Sequence, residues 1–522
     1  MSKALWVAAA QLDRRDFVRA TAGFGLWTLA TRPVNSAVRN LRFASDPFTL
    51  GVAAGDPSPD GFVLWTRLAP APLTGGEMPD EAVEVHWEIA DDEGMQRIVQ
   101  SGTATAKPEL AHSVHVEVTG LPADRWYFYR FHAGEATSRV GRARTAPAAD
   151  ALPARLRFAV ASCQHYETGY FTAYKHMLAD DLDLIVHLGD YIYEGAAIAD
   201  RTRMHVGGEL ESLADYRNRY AQYRTDEHLQ NAHARFPWLV TWDDHEFDNN
   251  CAGDISEQKE VTTEHFLTRR AAAYQAYYEH MPLRAAQLPD GPHLKLYRSS
   301  GFGRLAAFQV LDTRQYRSDQ PCGDGNKAPC TEVYSQQSTV LGAAQEKWLI
   351  DQLRSSGARW NVLAQQIMMA RVDRVPGEPV AWSMDQWAGY DAPRTRLLST
   401  IADAKVSNPV VLTGDIHSNW VNDLKVDFDN LQAPTVATEF VGTSISSGGD
   451  GTDKPKGHSR TLAENPFVKF HNTQRGYIRC DVGPNQWRSD YCVMAKVSEP
   501  DSPASLRASF VIEAGRPGAQ PA

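Results

Sequence analysis

The sequence predicts an α/β layered domain, two sheets flanked by helices, preceded by a small all-β sandwich domain. Three observations carry that prediction. Residues 48–146 break into short runs of alternating polarity, such as F-V-L-W-T-R-L, V-E-V-H-W-E-I, S-V-H-V-E-V and W-Y-F-Y-R-F, separated by Gly, Pro and Asp clusters. Beyond the Pro/Ala-rich stretch from Thr145 to Pro153, short apolar runs alternate with segments of helical spacing. Four of those apolar runs end abruptly in residue types that ligate metals.

At 522 residues the chain exceeds what one core usually supports, so two domains are the default. Residues 1–42 read as a leader. Asp13-Arg14-Arg15-Asp16-Phe17-Val18 is a twin-arginine motif, followed by a moderately apolar stretch from Thr21 to Thr31 and small residues near Ser36-Ala37. That pattern implies export of a folded protein by the twin-arginine machinery, to a periplasm or the cell exterior, with cleavage between Ala37 and Phe43. The apolar stretch is well short of the roughly 20 residues that span a bilayer, and no stable membrane anchor is expected.

The sandwich is assigned to residues 43–147, where L-P-A-D-R-W-Y-F-Y resembles the tyrosine-corner region of fibronectin-like sandwiches. Residues 148–155 are the linker. The layered domain is assigned to 156–515, with helical spacing over Tyr170–Leu178, Leu213–Tyr223, Thr262–Tyr278 and Gln345–Leu353. After Gly414 the runs P-T-V-A-T-E-F-V-G-T-S-I, G-Y-I-R-C-D-V, W-R-S-D-Y-C-V-M-A and S-L-R-A-S-F-V-I-E-A follow without intervening helices, and are expected to complete a second sheet packed on the first. Residues 516–522 are left as a tail.

Composition excludes some classes. A hydrophobic fraction of 43% and a charged fraction of 22% are ordinary for a soluble globular protein. Net charge is −11 with no Lys/Arg stripe, so no nucleic-acid partner is expected, and any phosphate binding must come from local charge. Six cysteines fit an oxidising destination. Cys322 and Cys330 bracket a loop of turn formers that a disulfide could close, and Cys480 and Cys492, on two runs joined by Gly483-Pro484-Asn485, form a second candidate pair. For Cys163 two readings stand: a metal thiolate, or a bridge to Cys251.

The chemistry centres on D-L-D-L-I-V-H-L-G-D-Y-I-Y-E, Asp181 to Glu194. Leu184, Ile185, Val186 and Leu188 suit a strand buried on both faces, which stops at Gly189-Asp190. The C-terminal ends of strands are where loops converge in α/β sheets and pool their side chains on a ligand. Tyr193, three residues on, could turn back beside Asp190, and phenol with carboxylate suits a hard cation such as ferric iron. In the same way Leu156–Ser162 delivers Cys163, Trp238–Trp242 delivers Asp243, Asp244, His245 and Glu246, and Asn408–Thr413 delivers Gly414, Asp415 and His417. An Asp capping a turn over a packed Tyr would explain Asp190 alone, but four such strand endings favour a site for more than one metal.

The ordered set S-C-Q, G-D-Y-I-Y, W-D-D-H-E and G-D-I-H resembles the alkaline phosphatase D (PhoD-like) branch of the calcineurin-like metallophosphoesterases, over roughly residues 48–515. Cys163 stands where that superfamily usually has Asp, Asp244 where it has the Asn of G-N-H, and Asp415 where it has the first His of G-H-x-H. The PhoD-like branch itself shows these substitutions. The resemblance implies a metallophosphoesterase layer and an exported, metal-dependent hydrolase of small phosphomonoesters and also phosphodiesters, with iron plus calcium and an alkaline optimum.

In this reading Asp190 bridges two metals. Cys163, Tyr193 and His417 complete a ferric site, while Asp190, Asp244 and Asp415 form an oxygen-only set that favours calcium over zinc. On the residues alone manganese or magnesium stays open. His245 is the residue that orients the phosphate or protonates the leaving group, against the plainer reading of a core histidine bonded to Asp243 or Glu246. Asn249 and Asn250 close its loop and could touch metal or phosphate. Glu439 is a further calcium-ligand candidate, or else the partner of an arginine. His165, Tyr166 and Arg269 or Arg270 could shape the pocket. Trp242, Trp382, Trp387 and Trp420 could line an apolar entrance for a lipid or aromatic ester, or be core. The rival readings are a phospholipase D-type hydrolase acting on phospholipid, and a catalytically inactive extracellular binding protein. Intact Asp190, Asp244, His245, Asp415 and His417 speak against the second.

Overall fold

Side-chain parity along three short strands sets the centre of the fold. The structure is a computed structural model that describes residues 42–375, 377 and 379–522, so the twin-arginine leader, apart from Arg42, lies outside the described residues. Leu156–Ala161, Leu184–His187 and Pro237–Val240 pair in parallel. Phe158, Val160, Leu184, Val186 and Leu239 turn into a core shared with a second sheet. Their neighbours Ala159, Ala161, Ile185, Trp238 and Val240 turn the other way, onto residues of the helices Thr172–Met177, Leu213–Arg224, Glu227–Arg235 and Thr263–His280. The period of two is that of a strand, and burial on both faces explains the unbroken apolar runs.

These strands are the middle of a ten-stranded sheet. On one side Val52–Ser58 pairs in parallel with Pro237–Val240, and Gly61–Arg67 and Ser113–Val118 follow antiparallel. Three strands of the segment expected to be a separate sandwich therefore extend the main sheet. Only Val83–Ala90, Ile98–Ala106, Trp126–Ala133, Ala136–Thr137 and Gly141–Arg144 form a sheet of their own, and residues 42–522 make one unit. Alternating polarity marks these runs as strands with one apolar face, but their partner is whichever edge offers unpaired N–H and C=O groups, and the edge at Pro237–Val240 does.

The other flank corrects two expectations. Gly476–Val482 pairs antiparallel with Leu156–Ala161, followed by Gln486–Met494 and Ala504–Glu513, so these C-terminal runs widen the first sheet instead of completing the second. The supposed tail 516–522 supplies the edge strand Arg516–Pro521, paired with Ala504–Glu513. The second sheet has seven strands, with a parallel centre of Ala306–Val310, Trp360–Ala364, Pro409–Thr413 and Thr435–Val441. Val362, Val410, Leu412 and Phe440 face the shared core, while Leu363, Val411 and Val441 face residues of the helices Gly342–Ser355 and Asp391–Asp403.

Four helices appear where their spacing predicts them, as Thr172–Met177, Leu213–Arg224, Thr263–His280 and Gly342–Ser355. Ser212 and Asp215 close the start of the second with a capping box, satisfying N–H groups the first turn cannot. Glu227–Arg235, Asp391–Asp403 and His458–Glu464 bring the described residues to seven α-helices. No helix among the described residues is long and apolar enough to cross a membrane.

The expected second disulfide is absent. Cys322 and Cys330 are bonded, with Cα atoms 6.0 Å apart, while Cys163, Cys251, Cys480 and Cys492 are free. Cys480 sits opposite Ser489, and Cys492 three residues further along opposite Tyr477. An odd offset puts the two side chains on opposite faces of the sheet, Cys480 in the inter-sheet core and Cys492 in the helix-side core, so they cannot meet.

Candidate metal centre

Two glycines let strand ends come together, Gly189 within the first sheet and Gly414 between the two sheets. Gly189 has φ +105°, and a Cβ there would lie 2.4 Å from the backbone N of Asp243. A Cβ on Gly414 would lie 2.8 Å from Ser162 Oγ, so only glycine allows the end of Pro409–Thr413 to approach the end of Leu156–Ala161. The next residues are bent into the left-handed region: Cys163 at φ 57°, Asp190 at 54°, Asn250 at 48°, Asp415 at 64° and His417 at 50°. Such backbone costs on the order of 1–2 kcal/mol per non-glycine residue, and it collects at functional sites.

Cys163, Asp190 and His417 each offer a ligand atom within 4.8 Å of the other two. Tyr193 completes the group, its hydroxyl donating to Asp190 Oδ2 at 3.0 Å and lying 3.1 Å from His417 Nε2. Ser447 Oγ is 2.7 Å from both the Cys163 carbonyl and Tyr193 Oη, and the guanidinium of Arg475 donates to the His417 carbonyl. Burial first, and then the charge of Asp190, pushes the Cys163 thiol and the Tyr193 phenol well above their usual values. Burial, then Arg475, pulls His417 down to about 3, so its imidazole is neutral, the form that ligates.

Asp190 also groups with Asp244 and His245, and Asp244 groups separately with Asp243 and Asp415. Asp243 thus joins the oxygen-rich set, which sequence reading had limited to Asp190, Asp244 and Asp415. Buried Arg314 ties this set together: Nε donates to Asp243 Oδ1 at 2.5 Å, Nη2 to Asp415 Oδ1 at 3.0 Å and Nη1 to Asp385 Oδ1 at 2.9 Å, with Asp244 at 3.6 Å. Burial, helped by neighbouring acids, raises Asp190 well above the carboxylate range against the pull of His245, and raises Asp415 to about 6 against the pull of Arg314. Asp244 is the exception: burial opposes its charge, but Arg314, His245 and the Asn250 N–H hold it below the usual range. Asp190 Oδ1, Asp243 Oδ2 and Asp244 Oδ1 are buried without a hydrogen-bond partner. Buried carboxylate oxygens are rarely left so, and three converging ones are what bound cations would satisfy.

His245 is bonded to neither of its sequence neighbours. Its Nδ1 is 2.7 Å from Glu194 Oε2, and its ring lies 4.1 Å from that of Tyr193. Burial disfavours its charge, yet the carboxylates of Glu194, Asp190 and Asp244 together keep the imidazole protonated well above its ordinary value. Glu246 instead accepts the backbone N–H groups of Asp190, Tyr191 and Asp243 at 3.0, 2.6 and 2.7 Å, fixing two strand ends to each other. Asn250 donates its N–H to Asp244 Oδ2 at 2.7 Å and its side-chain amide to Asp324 Oδ2 at 3.0 Å.

Glu439 stands apart. Its two oxygens accept from the N–H groups of Met369 and Ala370, from Thr413 Oγ1 and from Asn422 Nδ2, so it is a buried acceptor with four protein donors inside the second sheet, bonded to no arginine and outside the ligand clusters found among the described residues. Its strand alternates toward the helix layer, away from the strand ends. Arg269 bonds Tyr216 and Asp248, and Arg270 bonds backbone carbonyls of Gly253 and Pro292. Trp242, Trp382, Trp387 and Trp420 are buried. Sequence reading missed Glu194, Arg314 and Asp385. Glu194 ends the very stretch that carries Asp190 and Tyr193, and a second carboxylate four residues after a ligand was the available signal; Arg314 and Asp385 carry none.

Residues 158–491 match the family of PhoD-like phosphatases, and residues 34–147 match the N-terminal domain of PhoD-like phosphatases. The chain is 51% identical over 516 residues to alkaline phosphatase D of Bacillus subtilis (strain 168), covering 97% of this chain and 88% of that protein. A solved structure described as the structure of PhoD has a TM-score of 0.90 at 52% identity, covering 92% of this chain and 93% of that one. With strand-end motifs, fold and sequence agreeing over nearly the whole length, the chain belongs to the PhoD-like phosphatase family.

Proposed function

We propose that the chain is an exported, metal-dependent phosphoesterase whose centre holds two metals, hydrolysing phosphomonoesters and phosphodiesters. That it is a phosphoric ester hydrolase follows from its family. Residues 156–521 are the layered metallophosphoesterase domain, and 43–147 the PhoD-like N-terminal part. Cys163, Asp190, Tyr193 and His417 would hold the first metal, a thiolate, carboxylate, phenolate and imidazole set suited to ferric iron. Asp190, Asp244 and Asp415, with Asp243 beside them, would hold the second, an oxygen-only set suited to calcium. When bound, such a pair lowers the pKa of water and offsets charge on the phosphoryl oxygens. The observation that carries this reading is the set of unpartnered, buried oxygens of Asp190, Asp243 and Asp244 at converging strand ends.

The chain's own residues do the rest. Glu194 fixes His245 through Nδ1, leaving Nε2 without a protein partner among the described residues. As the P–O ester bond breaks, the protonated imidazole can give its Nε2 proton to the leaving oxygen, and Glu194, hydrogen-bonded to Nδ1, favours that protonated form. Asn250, tied to Asp244, offers its side chain to the phosphate. Export rests on the twin-arginine motif at Arg14-Arg15.

Elemental analysis of the untagged protein, together with turnover of p-nitrophenyl phosphate and bis-p-nitrophenyl phosphate with and without added calcium, tests the reading. Near one equivalent of iron, a visible phenolate-to-iron absorption lost in Tyr193→Phe, and calcium-stimulated turnover are expected. A colourless, iron-free protein with full activity would sink the iron assignment.

A further inference from the structure

We propose that Arg374 is a substrate-binding residue that reads the doubly charged phosphoryl group of a monoester, and so sets the preference for monoesters over diesters. The inference deepens the phosphoesterase reading and rests on it. Beside the acidic cluster lies a cavity of about 260 Å³ whose wall includes Asn250, Asp324, Asp385, Asp415 and His417, with Arg374 its one cationic side chain among the described residues. Arg314 and Arg317, behind that wall, give their donors to Asp243, Asp385 and Asp415, to the Asp385 carbonyl and to the Tyr390 hydroxyl. Arg374 has no such partner. Its Nη1 is buried and makes no hydrogen bond among the described residues.

Its placement is nonetheless fixed. The guanidinium lies 5.5 Å from the centre of the Trp420 ring, which stacks on His471 at 3.7 Å and donates through Nε1 to Ser418 Oγ at 2.8 Å. The Arg374 N–H bonds the Ala381 carbonyl at 2.9 Å, and Asp373 Oδ1 accepts from the N–H groups of Val375 and Ala381, which pins the segment that carries it. Asp415 lies near enough to act on it through space, but no carboxylate among the described residues is hydrogen-bonded to it, and a fixed cation with a buried, unbonded N–H gains most when an anion comes within hydrogen-bond reach. Phosphate monoesters are dianions with three terminal oxygens, whereas diesters are monoanions with two, so a guanidinium at this point favours the former.

Arg374→Gln and Arg374→Lys, with metal content measured on each, test this through steady-state kinetics on p-nitrophenyl phosphate and bis-p-nitrophenyl phosphate and through inhibition by inorganic phosphate. For Arg374→Gln, KM for the monoester and Ki for phosphate should rise about 10- to 100-fold, as expected for a lost charged hydrogen bond, with diester KM changed less than about 3-fold. Arg374→Lys should recover part of the loss. Equal losses on both esters, no change on either, or loss of bound metal would each overturn the proposal. A wild-type protein inactive on both esters would instead refute the phosphoesterase reading beneath it.

Discussion

The half of the centre built by Cys163, Asp190, Tyr193 and His417 holds its acidic groups with no arginine bonded to their side chains among the described residues, whereas the half built by Asp243, Asp244 and Asp415 is laced to Arg314. In the first half the nearest guanidinium, Arg475, spends its donors on backbone carbonyls, including that of His417. The thiol and phenol there ionise only if a cation arrives, because burial opposes their charge. In the second half a built-in cation already offsets part of the charge, and Asp244 is ionised without help. The first half should therefore bind its metal tightly as part of the fold, and the second should exchange its metal more readily. One site can thus combine a permanent ion with a replaceable one.

Asp190, which belongs to groups on both sides, is where the comparison breaks most sharply. Asp190→Ala should remove both metals and lower turnover by at least about 10³-fold, measured by elemental analysis alongside the ester assays. If one metal is retained, Asp190 serves one half only. Removing the built-in cation should come next. In metal-free protein, Arg314→Met leaves several buried acids uncompensated and should cost about 3–5 kcal/mol in urea unfolding, with added calcium recovering part of the loss by binding the native state. An unchanged midpoint would mean that Arg314 does not balance those acids.

Chelation separates the halves directly. A calcium-selective chelator should abolish activity reversibly while the phenolate absorption at Tyr193 persists, and colour and activity lost in parallel would show the halves to be one unit. The smallest effect is expected at the rim, where the Cys322–Cys330 loop carries Asp324 to the Asn250 amide. Cys322→Ser should raise KM by about 2- to 10-fold, the worth of one hydrogen bond, with kcat unchanged. A fall in kcat would instead place that loop in the chemical step.

Much of this is legible in the amino-acid sequence. Apolar runs that stop at Cys163, Asp190, Asp243-Asp244 and Asp415 identify strand ends and their cargo, because a strand buried on both faces shows as an unbroken apolar run whose abrupt stop marks where the chain leaves the sheet. Residues four or fewer apart in one motif, such as Asp190 and Tyr193, could be paired for the same reason. Glu439 misled because a carboxylate in a strand looks the same whether its oxygens meet a metal or, as here, four protein donors.

By itself, then, the sequence determined the strands that carry the site, four of the seven α-helices among the described residues, which side chains stand at the strand ends, and which family they belong to, since these are properties of local periodicity and of motifs a few residues long. Tertiary structure alone decided which strand pairs with which, that Cys480 and Cys492 face opposite ways, that Glu194 and not Asp243 holds His245, and that Arg314 reaches across 71 positions to Asp243. Those outcomes depend on contacts between residues far apart in the chain, where the competing partners differ in burial and charge balance and not in any local pattern.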